Sequence, residues 1–290
     1  MHWSGRNPSG RVAYVDGRYL RHGEAGVHIE DRGLQLGDSV YEALRIESGR
    51  LRDVKEHFDR LERSLREIEM TLPMTRQALA HVMHEVVRRN GVPDGLLYLQ
   101  VTRGAVRRDH PIPEHSPKPT LILTVHALDV AAMARRRREG IAVITKPDER
   151  WARCDIKSTQ LLANLMAKTA ARRAGAFEVW LLDSEGFVTE GASTTAWIVD
   201  GAGSLVTRDL SHAILPGVTR RVVLELVREA RIPLVERRFT PAEATTAREA
   251  FLTAASGAAI PIVTVDGRPV GDGKPGPLTC RIAELYGGHM

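Results

Sequence analysis

Residues 153–168 read "RCDIKSTQLLANLMAK". Position 157 is a lysine in a chain that otherwise writes arginine: of 41 Lys+Arg residues, six are lysines. Lys157 stands between Ile156 and a run of mostly apolar or small residues. Arginine keeps its proton at any ordinary pH, whereas a desolvated lysine can lose it. The position therefore reads as one where an amine is wanted. A nucleophilic amine must be neutral part of the time, and burial or a nearby cation can lower lysine's usual ~10.4 by several units. A lone lysine on a helix shoulder is usually only solvated, so Lys157 needs chemical company before it means anything.

The chain around it has 290 residues, 43% hydrophobic and 27% charged, which suits one large or two medium soluble domains. Its apolar runs fall short of the ~20 residues a membrane span needs. The opening "MHWSGRNPSG" lacks the apolar core of a secretory signal, so a cytoplasmic protein is expected. Cys154 and Cys280 have no metal-ligand spacing and read as free thiols, with no metal expected. The net charge of +5 is carried by arginines scattered among acids, as in "DRLERSLREIE", and "RRRRE" at 135–139 reads as a solvated helix end. That pattern argues against a nucleic-acid partner.

Along the chain, "RVAYVDGRYL" and "DSVYEALRIESGRL" read as hairpins turned at "DG" and "SG". "DVKEHFDRLERSLREIEM" places apolar residues at 58, 61, 65 and 68, a helical spacing, and "RQALAHVMHEVVRRNG" repeats the pattern up to a glycine stop. "LLYLQVTRG" and "PTLILTVHAL" are strand-like and flank a long loop, "AVRRDHPIPEHSPK", that reads as a functional flap. Beyond residue 130, "DVAAMARRRREG" reads as a linker or short helix and "IAVITKPD" as a strand. "STQLLANLMAKTAARRAG" and "VTRRVVLELVREARIP" read as helices. "FEVWLLDSEGFVTEGASTTAWIVDG" and "AFLTAASGAAIPIVTVDGRPV" read as strands joined by tight turns. The class is α+β, with a smaller N-terminal α/β domain over 1–129 that carries the flap and a larger domain over 130–290.

Three further places can carry chemistry. Glu190 in "VTEGAS" falls after a strand and before Gly191, usually an exposed structural position, but a buried carboxylate there can hold a proton on a ring nitrogen. In "ILPGVTRRVVLEL", Gly217, Val218 and Thr219 open a helix, and free N–H groups at a helix start bind phosphate; Pro-Gly is also an ordinary helix-start signal. Ser256 in "TAASGAA" lies in a small-residue turn, which admits a phosphate or simply makes a turn. A lysine amine, a carboxylate for a pyridine nitrogen and a helix start for phosphate together fit one cofactor, pyridoxal 5'-phosphate. The larger domain is then the one expected to bind it.

With these residues in view the chain resembles the fold type IV pyridoxal-phosphate enzymes, most of all the D-amino acid transaminases. The likeness runs nearly end to end. It is carried by "EDRGLQLGDSVYEAL", "HFDRL", "VTRG", "RCDIKSTQLLANLMAK", "VTEGAS", "ILPGVTR" and "VDGRPVGDGKPG". The resemblance implies a two-domain fold type IV enzyme in which Lys157 is the catalytic residue, linked covalently to the cofactor. Glu190 is paired with the pyridine nitrogen. Arg60, Val218, Thr219 and Ser256 hold the phosphate, and Leu215 lies against the ring. On the substrate side it implies Tyr41, and Arg108 with His110 of "RDH" as the grip on the substrate's α-carboxylate. A guanidinium binds a carboxylate through two parallel hydrogen bonds, and an imidazole adds a third contact.

The activity implied is transfer of an amino group between a D-amino acid such as D-alanine and a 2-oxo acid such as 2-oxoglutarate. In the family the flap reaches the active site of a partner subunit, so the resemblance also implies a homodimer. The chain departs from the usual pattern at Ala192, Thr195 and Ala255, where Ser, Asn and Thr are common. A branched-chain L-amino acid aminotransferase would share fold and cofactor but leave "RDH" without a purpose. An aminodeoxychorismate lyase would run an elimination on the same scaffold, and a non-catalytic binding protein would be colourless or turn nothing over.

Overall fold

A computed structural model of the chain describes residues 10–115 and 117–289. The opening stretch read for a leader lies almost wholly outside them. The chain divides into two compact units, residues 1–128 with 156–160, and residues 129–155 with 161–290.

The first unit opens with β1 (Val12–Val15) and β2 (Arg18–Arg21), joined by Asp16 and Gly17 at φ 46° and 88°. Two successive positive φ values make the tight turn that "DG" announced. A short helix α1 (Arg32–Leu36), capped by the Asp31 side chain, leads into β3 (Ser39–Glu47), the Ser48-Gly49 turn and β4 (Arg50–Leu51). Helices α2 (Val54–Glu67) and α3 (Arg76–Asn90) follow, then β5 (Gly95–Thr102) and β6 (Thr120–Ala127). The strands form one antiparallel sheet in the order β2-β1-β6-β5-β3-β4.

Side chains alternate across a strand. On β3 the inner face is Val40, Glu42, Leu44 and Ile46, and on β5 it is Gly95, Leu97, Leu99 and Val101, all buried. Phe58, Leu61 and Leu65 of α2 and Leu79, Met83 and Val86 of α3 close over that face, as the helical spacing required. Glu42 is an acid on this apolar face. Tyr41, Tyr98 and Gln100 lie on the opposite, half-exposed face.

Residues 156–160 pack with this unit although they precede a helix of the second. Tyr41 N donates to Lys157 O at 2.9 Å, Thr159 N donates to Ser39 O at 3.2 Å, and Val40 bridges Ser158. These bonds correct the sequence reading of a helix from Ser158. Backbone groups claimed by β3 cannot enter an α-helical ladder, so the helix begins at Leu162.

The second unit runs α4 (Val130–Glu139), β7 (Ile141–Pro147), α5 (Leu162–Arg173), β8 (Glu178–Leu182), β9 (Val188–Gly191), β10 (Thr195–Val199) and β11 (Leu205–Thr207). It continues through α6 (Val218–Glu229), β12 (Leu234–Glu236), α7 (Pro241–Thr246), β13 (Glu249–Ala254), β14 (Gly257–Val265), β15 (Arg268–Pro269) and α8 (Pro277–Gly288). The mixed sheet has the order β12-β11-β10-β13-β14-β7-β8-β9, with β15 on β14.

The middle of this sheet is covered on both faces, so β8, β10 and β13 are buried along nearly their whole length. Trp197 and Val199 of β10 face α6 and α8, while Ala196 and Ile198 face a core that includes Trp180, Phe239 and Ala244. Val179 and Leu181 of β8 pack on α5. The stretch 130–139, read as linker or short helix, is the helix α4, capped by Asp129.

Candidate active site

The site residues expected from the sequence are distributed over the two units. The first carries Lys157, Tyr41, Arg60, Arg108 and His110, and the second carries Glu190, Leu215, Val218, Thr219 and Ser256.

In the first unit the bonds that pull 157–159 onto β3 also place the Lys157 side chain. Its backbone N–H donates to Ser64 Oγ at 3.3 Å, and its Nζ lies 4.2 Å from the centre of the Tyr41 ring. Tyr41 stacks on Tyr98 with centroids 5.5 Å apart. Tyr98 O–H donates to Gln100 at 2.9 Å, and burial together with the neighbouring Tyr41 pushes its phenol up to about 12. The Tyr41 ring thus faces the amine, with Tyr98 stacked behind it. Gln100 donates on to Ser39 Oγ, which shares a 2.5 Å hydrogen bond with Thr159 Oγ1.

Arg60 projects from α2 onto Glu42. Its Nε and Nη2 donate to the two carboxylate oxygens at 2.8 and 2.7 Å, and His57 Nδ1 lies 2.7 Å from the same carboxylate. Burial by itself would raise the Glu42 carboxyl, but the Arg60 charge and hydrogen bonds, helped by His57, hold it well below the usual range. Glu42 was missed from sequence, although an acid two residues from Val40 and from Leu44 on a strand's apolar face was visible.

Arg108 and His110 are exposed, in the irregular segment after β5. The segment is fastened beneath them. Arg32 Nη1 donates to Asp109 O at 2.7 Å, and Val106 N donates to Glu30 O at 3.4 Å.

In the second unit Glu190 is the third residue of β9, not a residue beyond its end, and is 5% exposed. Arg150 Nη1 donates to its Oε1, and Leu215 N donates to the same oxygen at 3.1 Å. Arg150 is also held by Asp148 at 2.7 Å and donates to Ala213 O at 3.1 Å, so one guanidinium ties Glu190 to the loop before α6. Burial works against the Arg150 charge, but its bonds to Asp148 and the charge of Glu190 raise its pKa still further. Nothing in an arginine-rich sequence marked this one out.

Helix α6 opens at Gly217 without a side-chain cap, so its first N–H groups, on Val218 and Thr219, have no intrahelical or capping partner. A Cβ on Gly217 would stand 3.1 Å from Thr195 Oγ1, which places the Thr195 departure beside the helix start. Ser256, with Ala255, makes the half-exposed turn between β13 and β14. Ala192 is buried, and its carbonyl accepts from Asn164 at 2.8 Å.

These donors suit the cofactor expected from the sequence. The first unit offers an amine against a tyrosine ring, which suits an aldehyde; the second offers a buried carboxylate, which suits a pyridine nitrogen, and an uncapped helix start, which suits a phosphate. Both cysteines are free, and the described residues contain no group of His, Cys, Asp and Glu that could hold a metal ion. No helix among the described residues is long and apolar enough to cross a membrane.

Comparison with known proteins bears out the resemblance. The profile of the amino-transferase class IV family matches residues 39–265. A D-alanine aminotransferase from Bacillus licheniformis is 39% identical over 91% of this chain and 92% of its own. Among solved structures, the branched-chain amino acid aminotransferase of Escherichia coli superposes with a TM-score of 0.87, covering 97% of this chain and 94% of its own at 24% identity. The T.th. branched-chain amino acid aminotransferase, solved with pyridoxamine 5'-phosphate, gives 0.85 over 96% and 93% at 25% identity. The backbone is therefore shared between enzymes whose names give different substrates, and the fold alone does not choose among them.

Proposed function

Because this chain belongs to the class IV amino-transferase family, we propose that it moves an amino group between a D-amino acid, such as D-alanine, and a 2-oxo acid, such as 2-oxoglutarate. It is a pyridoxal-phosphate-dependent aminotransferase. The observation that carries the D-amino acid reading is the 39% identity to a D-alanine aminotransferase along 91% of the chain. The Arg108-Asp109-His110 segment, fastened by Arg32, supports it.

When bound, pyridoxal phosphate would supply an electron sink for the electron pair left at the substrate's Cα. The chain's own residues do the rest. Lys157 Nζ would hold the cofactor through its aldehyde carbon and, once the substrate's amine has taken its place, would take the proton from the substrate's Cα as general base and deliver it as general acid to that former aldehyde carbon. Glu190 keeps a proton on the pyridine nitrogen, and Arg150 fixes the carboxylate's orientation. Arg60, steered by Glu42, joins Val218, Thr219 and Ser256 as the holders of the phosphate, and Leu215 is assigned to the ring face. Tyr41 lies on the substrate side. Arg108 and His110 grip the α-carboxylate.

The chain is proposed to work as a homodimer, with Arg108 and His110 serving a partner's site. Helix α5 supports an assembly: Leu162, Leu165 and Met166, at i, i+3 and i+4, are 72%, 60% and 61% exposed. Uncovered, that ridge is costly in water.

The experiment is Arg108→Ala with Arg107→Ala as control. A charge-assisted hydrogen bond contributes about 1.5–3 kcal/mol, so KM for D-alanine should rise about ten- to a hundredfold in the first variant and little in the second. Equal behaviour of the two variants, with L-leucine preferred to D-alanine by the wild type, would replace this reading with a branched-chain L-amino acid aminotransferase.

A further inference from the structure

Arg32, at the first position of α1, is only 4% exposed. Its guanidinium spans two tasks. Nε donates to Asp38 Oδ2 at 2.7 Å, while Nη1 and Nη2 donate to the main-chain oxygens of Asp109 and His110 at 2.7 and 3.4 Å. Asp38 is held from its other side by Arg103, through Nε at 2.7 Å and Nη2 at 3.1 Å. Arg103 is itself fixed to Ile68 O at 2.6 Å, just past the end of α2. A buried line of charge thus runs from the end of α2 to the backbone of the exposed loop.

The foot of that loop is braced as well. Arg32 N donates to Gly104 O at 2.9 Å, and Thr102 Oγ1 donates to Asp31 at 2.8 Å. Gly104 has φ 103°, and a Cβ there would lie 2.1 Å from Lys118 O, so the chain crosses itself tightly as it enters and leaves the loop. Burying two guanidiniums around one carboxylate is a poor way to stabilise a core, where apolar side chains of similar volume do as well or better. A guanidinium fork aimed at main-chain oxygens has another use. It fixes the path of a loop whatever side chains that loop carries.

We propose that Arg32 is a positioning residue: it holds the backbone of Asp109 and His110 so that the Arg108 and His110 side chains stand ready for the substrate carboxylate. This rests on the reading of Arg108 and His110 as the carboxylate grip. Holding the loop beforehand removes ordering cost from substrate binding. Arg32 touches neither substrate nor cofactor and works through Asp109 and His110.

The test is a double-variant cycle on the cofactor-loaded enzyme, with Arg32→Lys, Arg108→Ala and the pair combined. Arg32→Lys keeps a positive charge against Asp38 but cannot fork two carbonyls. If it does not fold, Arg32→Gln serves, since Asp38 keeps both bonds from Arg103. KM for D-alanine should rise about three- to thirtyfold in the Arg32 variant, because misplacing a binding group by an ångström costs up to about a hundredfold. The turnover number and the resting cofactor spectrum should stay near wild type, and amide exchange at 105–110 should quicken. Once Arg108 is alanine, the Arg32 substitution should add only the smaller share that acts through His110. An unchanged KM in the Arg32 variant, a rise that multiplies in full with that of Arg108→Ala, or failure of both Arg32 variants to fold would overturn the inference while leaving the grip intact. A wild-type KM in Arg108→Ala alone would remove the grip itself, and the inference with it.

Discussion

Glu42 and Arg60 meet in a two-point fork, with Nε to Oε1 at 2.8 Å and Nη2 to Oε2 at 2.7 Å, both side chains buried. Breaking such a pair by removing one partner costs about 3–5 kcal/mol, because the other charge stays buried and uncompensated. Glu42→Gln should therefore lower the unfolding free energy by that much at pH 7, measured by urea titration at a fixed cofactor concentration. The sign of the pH dependence follows from the depressed carboxyl. Its contribution is present in full above the ordinary value of 4.5 and is lost as the pH falls below that and through the lower folded-state value. The gap between wild type and variant should narrow steadily from pH 5 downward. A gap that does not depend on pH would mean that the pair is not ionised in the folded protein.

Glu190→Gln replaces a buried carboxylate with an amide that cannot hold a pyridinium proton as well. It also leaves Arg150 with Asp148 as its acidic partner. The rate of each half-reaction, followed in single turnovers, should fall by about tenfold or more, since hydrogen bonds to charged groups contribute about 1.5–3 kcal/mol. Cofactor retention should change less, because the phosphate holders are untouched. Wild-type half-reaction rates would assign the ring's protonation to another group.

Lys157→Ala removes the amine while leaving the carbonyl of residue 157, which accepts from Tyr41 N at 2.9 Å, in place. The segment 156–160 should therefore keep its position, and the protein should fold and retain cofactor through its phosphate. Turnover should drop to below a few per cent of wild type, since the general base and acid are both lost. Substantial residual turnover would assign the proton transfer to another side chain.

Much of this was legible in the sequence because it was local. "DG" forces two positive φ values at Asp16 and Gly17, and the spacing of Phe58, Leu61 and Leu65 fixes the buried side of α2. Helix α7 also carries a local signal, a Thr240 cap with Pro241 and Glu243 behind it. The start of α5 was not readable, because the backbone of 157–159 is taken by residues 39–41, more than a hundred positions away. Of the site residues, Lys157 stood out by being a lysine and Glu42 could have, as an acid on an apolar strand face. Arg150 and Arg32 could not, since each differs from its many fellow arginines only in what it touches after folding.

The reaction itself is tested most directly by amino transfer to 2-oxoglutarate from paired D- and L-amino acids, alanine and leucine included. The amount and the chirality of the glutamate formed are both read out. Rapid formation of D-glutamate from D-alanine, with little product from the L-donors, is the predicted result. L-Glutamate formed chiefly from L-leucine would contradict it.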